Sequence, residues 1–347
     1  MPIQLNVLER TIFFSLNQAP APIIDLWSAI AFRTVMAADH LGVFAALAES
    51  SATATELAER LPADLRALGV LLDALVPLGY LEHREGRYSN APMTARWLTG
   101  AGNANWAPYL RFWEDVLAVL WQDPAATVRA GAPAENLYQW LESQPETSRN
   151  FQEGMVAIAA TVEGELLGRL TFIGKAKRLL DVGAGHGSYS IALCRKYPQL
   201  KATLFDSAQA LEVAHRQVAA AGLGDRVDFV AGDFLADELP AGYDALLLFN
   251  ILHGFTPEQN QALLKKAAGA LAPGGRIAVL EQLAGAGGSR ANRTINGLLA
   301  FSFFLTLGGQ VYSVKDLDGW LQGAGFGHIR RYPLRMSGGS SLVVGEK

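Results

Sequence analysis

The rhythm of hydrophobic and polar positions changes near residue 175. Before that point apolar residues recur at helical spacing. After it, short β-branched or leucine-rich runs alternate with helical stretches, the pattern of a parallel α/β sheet. The first part predicts long apolar helices over about residues 6–17 and 20–39. Thr53-Ala54-Thr55-Glu56 has the form of a helix start with an acid in the first turn, and that helix, 56–61, ends at Pro62. Asp64 can cap a second helix over 65–78, which Gly79 stops. Two short strands, 80–83 and 87–89, flank the turn signal Glu85-Gly86. Helix, turn, helix and a small hairpin make a winged helix.

A winged helix raises the question of a DNA-binding regulator. A groove-reading helix needs a polar or basic outer face. The helix in the reading position offers only Arg66 to a base edge or phosphate, and Asp73 would repel the backbone. It is apolar almost all round, so the expectation is burial on more than one side, in packing or dimerisation. Residues 104–170 read as helical and carry Trp106, Tyr109, Phe112, Trp113, Trp121, Tyr138, Trp140 and Phe151. Aromatics at helical spacing are usually core; some could also line a pocket for a flat substrate.

Composition narrows the setting. A chain of 347 residues is long for one core, and two domains are expected. Half of the residues are hydrophobic and 18% are charged, which fits a globular protein. The net charge is -4, so no electrostatic grip on nucleic acid or an anionic membrane is expected. The lone Cys194 excludes an intrachain disulfide, and the apolar stretch 295–307 is short for a membrane span and holds Asn296 and Ser302. These features point to a cytoplasmic protein.

The strongest chemical signal runs over 179–187: Leu-Leu-Asp-Val-Gly-Ala-Gly-His-Gly. An apolar strand stops at Gly183 and a helix begins near Ser188. Gly183, Gly185 and Gly187 let the backbone turn sharply and approach a ligand at the carboxyl end of a strand. A second strand, 202–205, ends in Asp206, 25 residues after Asp181, where a carboxylate can accept from both hydroxyls of a ribose. A third, 226–230, ends in Gly232-Asp233-Phe234; the carboxylate can take the exocyclic amine of adenine while the phenyl ring packs on its face. A fourth, 244–249, ends in Asn250, a further candidate contact. The spacing is Gly-x-Gly-x-Gly rather than Gly-x-Gly-x-x-Gly, and no P-loop lysine and serine follow. The expected ligand carries adenosine and needs no phosphate cradle, which fits S-adenosylmethionine better than a nicotinamide cofactor.

These motifs, with Leu252-His253 and Leu271-Ala272-Pro273-Gly274-Gly275, resemble the class I S-adenosylmethionine-dependent O-methyltransferases of the plant and bacterial small-molecule type. Leu41-Gly42-Val43-Phe44, Leu72-Asp73-Ala74-Leu75, Gly79-Tyr80-Leu81, Gly308-Gly309 and Ala324-Gly325-Phe326 extend the resemblance over nearly the whole chain. It implies an α/β fold with a Rossmann-like seven-stranded sheet and a mainly helical winged-helix dimerisation domain. On this reading residues 1–100 form the dimerisation domain, and 101–347 form linking helices and the cofactor domain. The expected assembly is a homodimer, because the apolar first helices would be costly to expose.

In the resembled family the residue matching His253 is the general base, and the chemistry agrees: a hydroxyl must lose its proton, and an imidazole titrates near neutral pH. A lone histidine is more often structural, but His253 follows the fourth strand by a few residues, on the methyl-donor side. Glu281, at the end of strand 276–280, matches the carboxylate that orients the histidine; a solvent-facing strand end is the plain alternative. Phe151 and Met155, in Phe151-Gln152-Glu153-Gly154-Met155, resemble the substrate pocket. Two positions depart from the family: Gly254-Phe255 stand where Asp and Trp are usual, and Gln310-Val311 where a second acid is usual. The acceptor atom could then be nitrogen or carbon, or the protein could bind the cofactor without methylating, as an isomerase or decarboxylase. No metal is expected. The product expected from methyl transfer is S-adenosyl-L-homocysteine (SAH).

Overall fold

The structure, a computed structural model, describes residues 5–100, 104–286, 289–335, 337 and 339–347. The chain divides into two compact units, Met1–Glu114 and Asp115–Lys347, and the division falls within the helix Ala107–Val119.

The first unit is built on the predicted local signals. The helix Ala54–Arg60 opens with a capping box in which Thr53 and Glu56 satisfy each other's backbone N–H groups. Asp64 caps Leu65–Leu75, accepting from Ala67 N at 2.8 Å. The hairpin pairs β1 (Leu81–Arg84) with β2 (Arg87–Asn90), and both turn residues, Glu85 and Gly86, take positive φ. The helix in the DNA-reading position differs from expectation. Leu68, Leu72 and Leu75 are buried, but Leu65 and Val70 are exposed. Its apolar composition spans two faces, and a single chain covers one of them. Asp73 is engaged by the Tyr88 hydroxyl at 2.7 Å.

The second unit is a seven-stranded sheet of β3 (Arg178–Val182), β4 (Lys201–Asp206), β5 (Val227–Ala231), β6 (Tyr243–Phe249), β7 (Leu271–Gln282), β8 (Gly327–Pro333) and β9 (Ser340–Glu346). The order is β5-β4-β3-β6-β7-β9-β8, with β9 antiparallel to its neighbours β7 and β8 and the other pairs parallel. The family resemblance implied this sheet. Adjacent residues feed opposite cores: Leu179 and Leu247 join one cluster, Leu180 and Leu246 the other. The helices Pro145–Arg169, Ser188–Lys196 and Ala208–Ala220 cover the first face, and Pro257–Ala270 and Val314–Gly323 the second. The strand order reverses between β3 and β6, so a crevice for ligands is expected over their carboxyl ends.

Most aromatics of the segment 104–170 are half-buried rather than full core. Phe112 in the first unit and Trp140 in the second are buried, and Trp121 packs edge-on against Phe301. Tyr138 stands apart: it keeps 48% of its surface exposed.

Candidate active site

The glycine loop joins β3 to the helix Ser188–Lys196, and its three glycines take φ of 70°, 51° and 70°. They serve different ends. A Cβ on Gly183 would overlap Ile251 Cδ1, and one on Gly187 would come within 2.7 Å of Leu204 Cδ2. Those two are demanded by the protein's own packing. Only Gly185 faces open space within 4 Å, and its N–H donates to Asp206 Oδ2 at 2.8 Å. His186, inside the loop, accepts from Ser188 N at 3.1 Å through Nδ1. Burial pulls its pKa down to about 4, so it is neutral at physiological pH and its remaining proton sits on Nε2.

Asp206 ends β4. Burial raises its pKa, opposed by the N–H groups of Gly185 and Ser207 that donate to its two oxygens. It lines an open cleft of ≈ 570 Å³ with Ser207, Ala208, Ala231, Gly232, Asp233 and Phe234. Gly232 is needed here, because a Cβ would come within 2.6 Å of the Phe205 ring. Asp233 Oδ1 accepts from Leu235 N at 2.8 Å, which fixes the turn. Phe234 meets Phe255 edge-on at 5.6 Å and lies 3.7 Å from where a Gly183 Cβ would be. None of the lining residues is basic. Two carboxylates and a phenyl face suit a ribose diol and an adenine ring, and they repel phosphate. The donor set therefore fits S-adenosylmethionine. Asn250 takes φ of 56° beyond β6 and donates its N–H to Leu280 O, but it does not line this cleft.

His253 sits in a single 3₁₀ turn, Leu252–Gly254, after β6. Its Nδ1 lies 2.8 Å from Glu281 Oε2, and Glu281 Oε1 accepts from Leu252 N at 2.7 Å. Both carboxylate oxygens are thus engaged, with Glu281 2% and His253 9% exposed. Nδ1–H donates to the carboxylate, which leaves the lone pair of the neutral ring on Nε2. The ring stacks on Phe303 at 4.0 Å and 15°. Asn260 donates to the carbonyls of Leu252 and Phe255, and the Tyr312 hydroxyl also donates to that of Phe255. A Cβ on Gly309 would overlap His253 O, so the second of the paired glycines is the place where the chain crosses this turn.

Phe151 and Met155 lie one turn apart on Pro145–Arg169, both half-buried. Phe151 meets Tyr138 edge-on at 6.2 Å. Burial, Asp206 and Glu281 together push the Tyr138 hydroxyl up to about 12. The structure thus brings together Gly183, Gly185, Asp206, Asp233 and Phe234 at one place and His253 with Glu281 at another. Sequence reading missed Phe303, Asn260, Tyr312 and the position of Tyr138. Of these, Asn260 carried a faint signal, four residues after the N-cap Thr256 on a helix face otherwise apolar. Among the described residues no group of three or more His, Cys, Asp or Glu could hold a metal ion, and no helix is long and apolar enough to cross a membrane.

Residues 123–327 match the O-methyltransferase domain, and residues 26–100 match the O-methyltransferase dimerisation domain. The 3-hydroxy-5-methyl-1-naphthoate 3-O-methyltransferase of Streptomyces sahachiroi is 31% identical over 93% of this chain and 92% of its own. The L-tyrosine C(3)-methyltransferase of Streptomyces lavendulae is 28% identical over 87% and 85%. The solved structure of PigF with SAH is 26% identical, with a TM-score of 0.82 over 94% of this chain and 99% of that one. The chain belongs to the O-methyltransferase family, S-adenosylmethionine-dependent enzymes that carry a dimerisation domain ahead of the catalytic one.

Proposed function

We propose that the protein methylates a hydroxyl of a small aromatic molecule, with His253 as general base. The observation that carries this reading is the Glu281–His253 pair: a buried carboxylate on Nδ1 leaves Nε2 as the proton acceptor. Bound S-adenosylmethionine supplies a methyl group on a positively charged sulfur. Asp206 holds the ribose hydroxyls, Asp233 the adenine amine, and Phe234 the adenine face. Gly183, Gly185 and Gly187 shape the loop below the cofactor, and Asn250 flanks it at the switch point. His253 Nε2 takes the acceptor's proton, and the new imidazolium is stabilised by Glu281 and by the Phe303 face. Phe151 and Met155 pack on the acceptor's ring. Alignment of acceptor and methyl donor does the rest, since an in-line displacement is mostly a positioning problem.

The relative that methylates L-tyrosine at C(3) keeps a second reading open. Removing a phenol's proton also activates the neighbouring ring carbon, so the same base serves either atom. Incubation with S-adenosylmethionine and a phenolic acceptor is expected to yield SAH equimolar with a methyl ether. A ring-methylated product would shift the reading to carbon, and turnover without SAH would assign a non-methylating reaction.

The working unit in this proposal is a homodimer of residues 1–100, with 101–347 carrying the linking helices and the cofactor site. Val7, Leu8, Phe14, Leu26, Trp27 and Ile30 are exposed in the single chain. Burying each contributes roughly 1.5 kcal/mol or more. Sedimentation at micromolar concentration should return twice the chain mass; a monomer would count against it. A cytoplasmic setting is supported by Cys194, a buried free thiol that burial pushes up to about 11. No partnership with nucleic acid or membrane is part of this reading.

A further inference from the structure

The helix Pro257–Ala270 donates side-chain hydrogen bonds to both halves of the site. Its start is fixed locally: Pro257 opens it, and Thr256 and Gln259 form a capping box. Asn260 and Lys266 stand on it about 9 Å apart along the axis. Asn260 reaches the turn that carries His253. Its Nδ2 donates to Leu252 O at 2.9 Å and to Phe255 O at 3.3 Å, the carbonyls on either side of His253–Gly254. That single turn contains a glycine, which adds backbone freedom next to the imidazole. Asn260 is fully buried, yet its Oδ1 has no hydrogen-bond partner among the described residues. The helix face around it is otherwise apolar, with Leu263, Leu264 and Ala267. An unpartnered buried carbonyl costs stability, and a leucine of similar volume would avoid that cost. What the amide adds is two donors aimed at the turn.

Lys266 reaches the other half. Its Nζ donates to Leu235 O at 2.7 Å and to Asp237 O at 2.8 Å. Both carbonyls belong to the loop after β5 that presents Asp233 and Phe234 to the cleft. The loop is closed on itself, with Asp237 N donating to Asp233 O at 2.7 Å and Asp233 N to Asp237 Oδ2 at 2.8 Å. In the sheet β5 and β6 are not neighbours; β4 and β3 lie between them, so they stand about 14 Å apart. No shared ladder sets the loop after one against the turn after the other, and this helix binds both. We propose that Asn260 and Lys266 are positioning residues: Asn260 aims His253 at the acceptor, and Lys266 sets the Asp233–Phe234 wall of the cofactor cleft. The helix then fixes base and methyl donor relative to each other, the geometry an in-line transfer depends on. This rests on the cofactor and base assignments made above.

Two substitutions should have opposite effects. Asn260→Leu is expected to lower kcat with a phenolic acceptor about tenfold and to leave S-adenosylmethionine affinity within about twofold. Lys266→Met should weaken S-adenosylmethionine about fivefold and leave kcat at saturating cofactor within about twofold. Lys266→Arg, which can still donate to both carbonyls, should recover most of that affinity. Steady-state kinetics and calorimetric titration read the split, and thermal melting checks the fold; Asn260→Ala serves if the leucine variant does not fold. In a His253→Gln background, Asn260→Leu should cost less than about twofold in kcat, because the base it aims is gone. Parallel losses of kcat and affinity in either variant, a full tenfold loss without the base, or no change at all would overturn the inference. If wild type bound no S-adenosylmethionine, or His253→Gln turned over normally, the assignments above would fall and take this inference with them.

Discussion

Replacing His253 by alanine is expected to lower kcat by about 10²–10⁴-fold, the usual worth of a general base. S-adenosylmethionine affinity should change by no more than about twofold. The split follows from the geometry. The cleft lined by Asp206, Asp233 and Phe234 is built by the loops after β4 and β5, whereas His253 rides on the turn after β6 and pairs with β7. Removing the imidazole leaves the cofactor's partners in place and strips the acceptor of its base. His253→Gln is the sharper control, because it can still hydrogen-bond Glu281 but cannot take up a proton. Steady-state kinetics with calorimetry checks the split; equal losses in kcat and cofactor affinity would make His253 a structural residue.

Asp206→Ala should act the other way, weakening S-adenosylmethionine by about 10²-fold while kcat at saturating cofactor falls far less. A carboxylate accepting two hydroxyl protons makes two charge-assisted hydrogen bonds, each worth about 1.5 kcal/mol net of competition with water in so open a cleft. The variant also strands the N–H groups of Gly185 and Ser207, which donate to Asp206 in the native chain. Some loop disorder is therefore part of the effect, and Asp206→Asn, which keeps an acceptor, should lose less. Calorimetric titration reads the affinity, and thermal melting without cofactor separates binding from folding. Unchanged affinity would remove Asp206 from the site.

How much of this could be read in advance depended on whether a residue's job was local. Thr53 with Glu56, and Asp64 before an apolar run, act within one turn, and the structure forms both caps. The buried strands showed as apolar runs because both faces are covered. The edge strand β8, His328-Ile329-Arg330-Arg331 within it, has no fully buried residue and no such run. Nothing in the chain marked Phe303 as the ring under His253, since it lies in an apolar stretch where any residue could have been core. Gly183, Gly187 and Gly309 were legible as glycines but not in purpose. Their reasons, Ile251, Leu204 and the His253 carbonyl, come from distant elements. The departures at Gly254 and Gln310 left the acceptor atom and the reaction open in the sequence. Glu281 alone engages both the His253 ring and the Leu252 amide that carries it, and a Cβ at Gly254 would meet Leu307 Cδ1 at 3.6 Å, an ordinary contact, so packing does not demand a glycine there.

In the proposed mechanism one cleft holds the adenosine and one histidine takes the acceptor's proton. The most direct measurement is a crystal structure with SAH and a hydroxylated aromatic acceptor. The ribose is expected on Asp206, the adenine between Asp233 and Phe234, and the acceptor oxygen within about 3.2 Å of His253 Nε2, facing the sulfur. An acceptor oxygen bound away from His253, with the sulfur facing some other group, would contradict it.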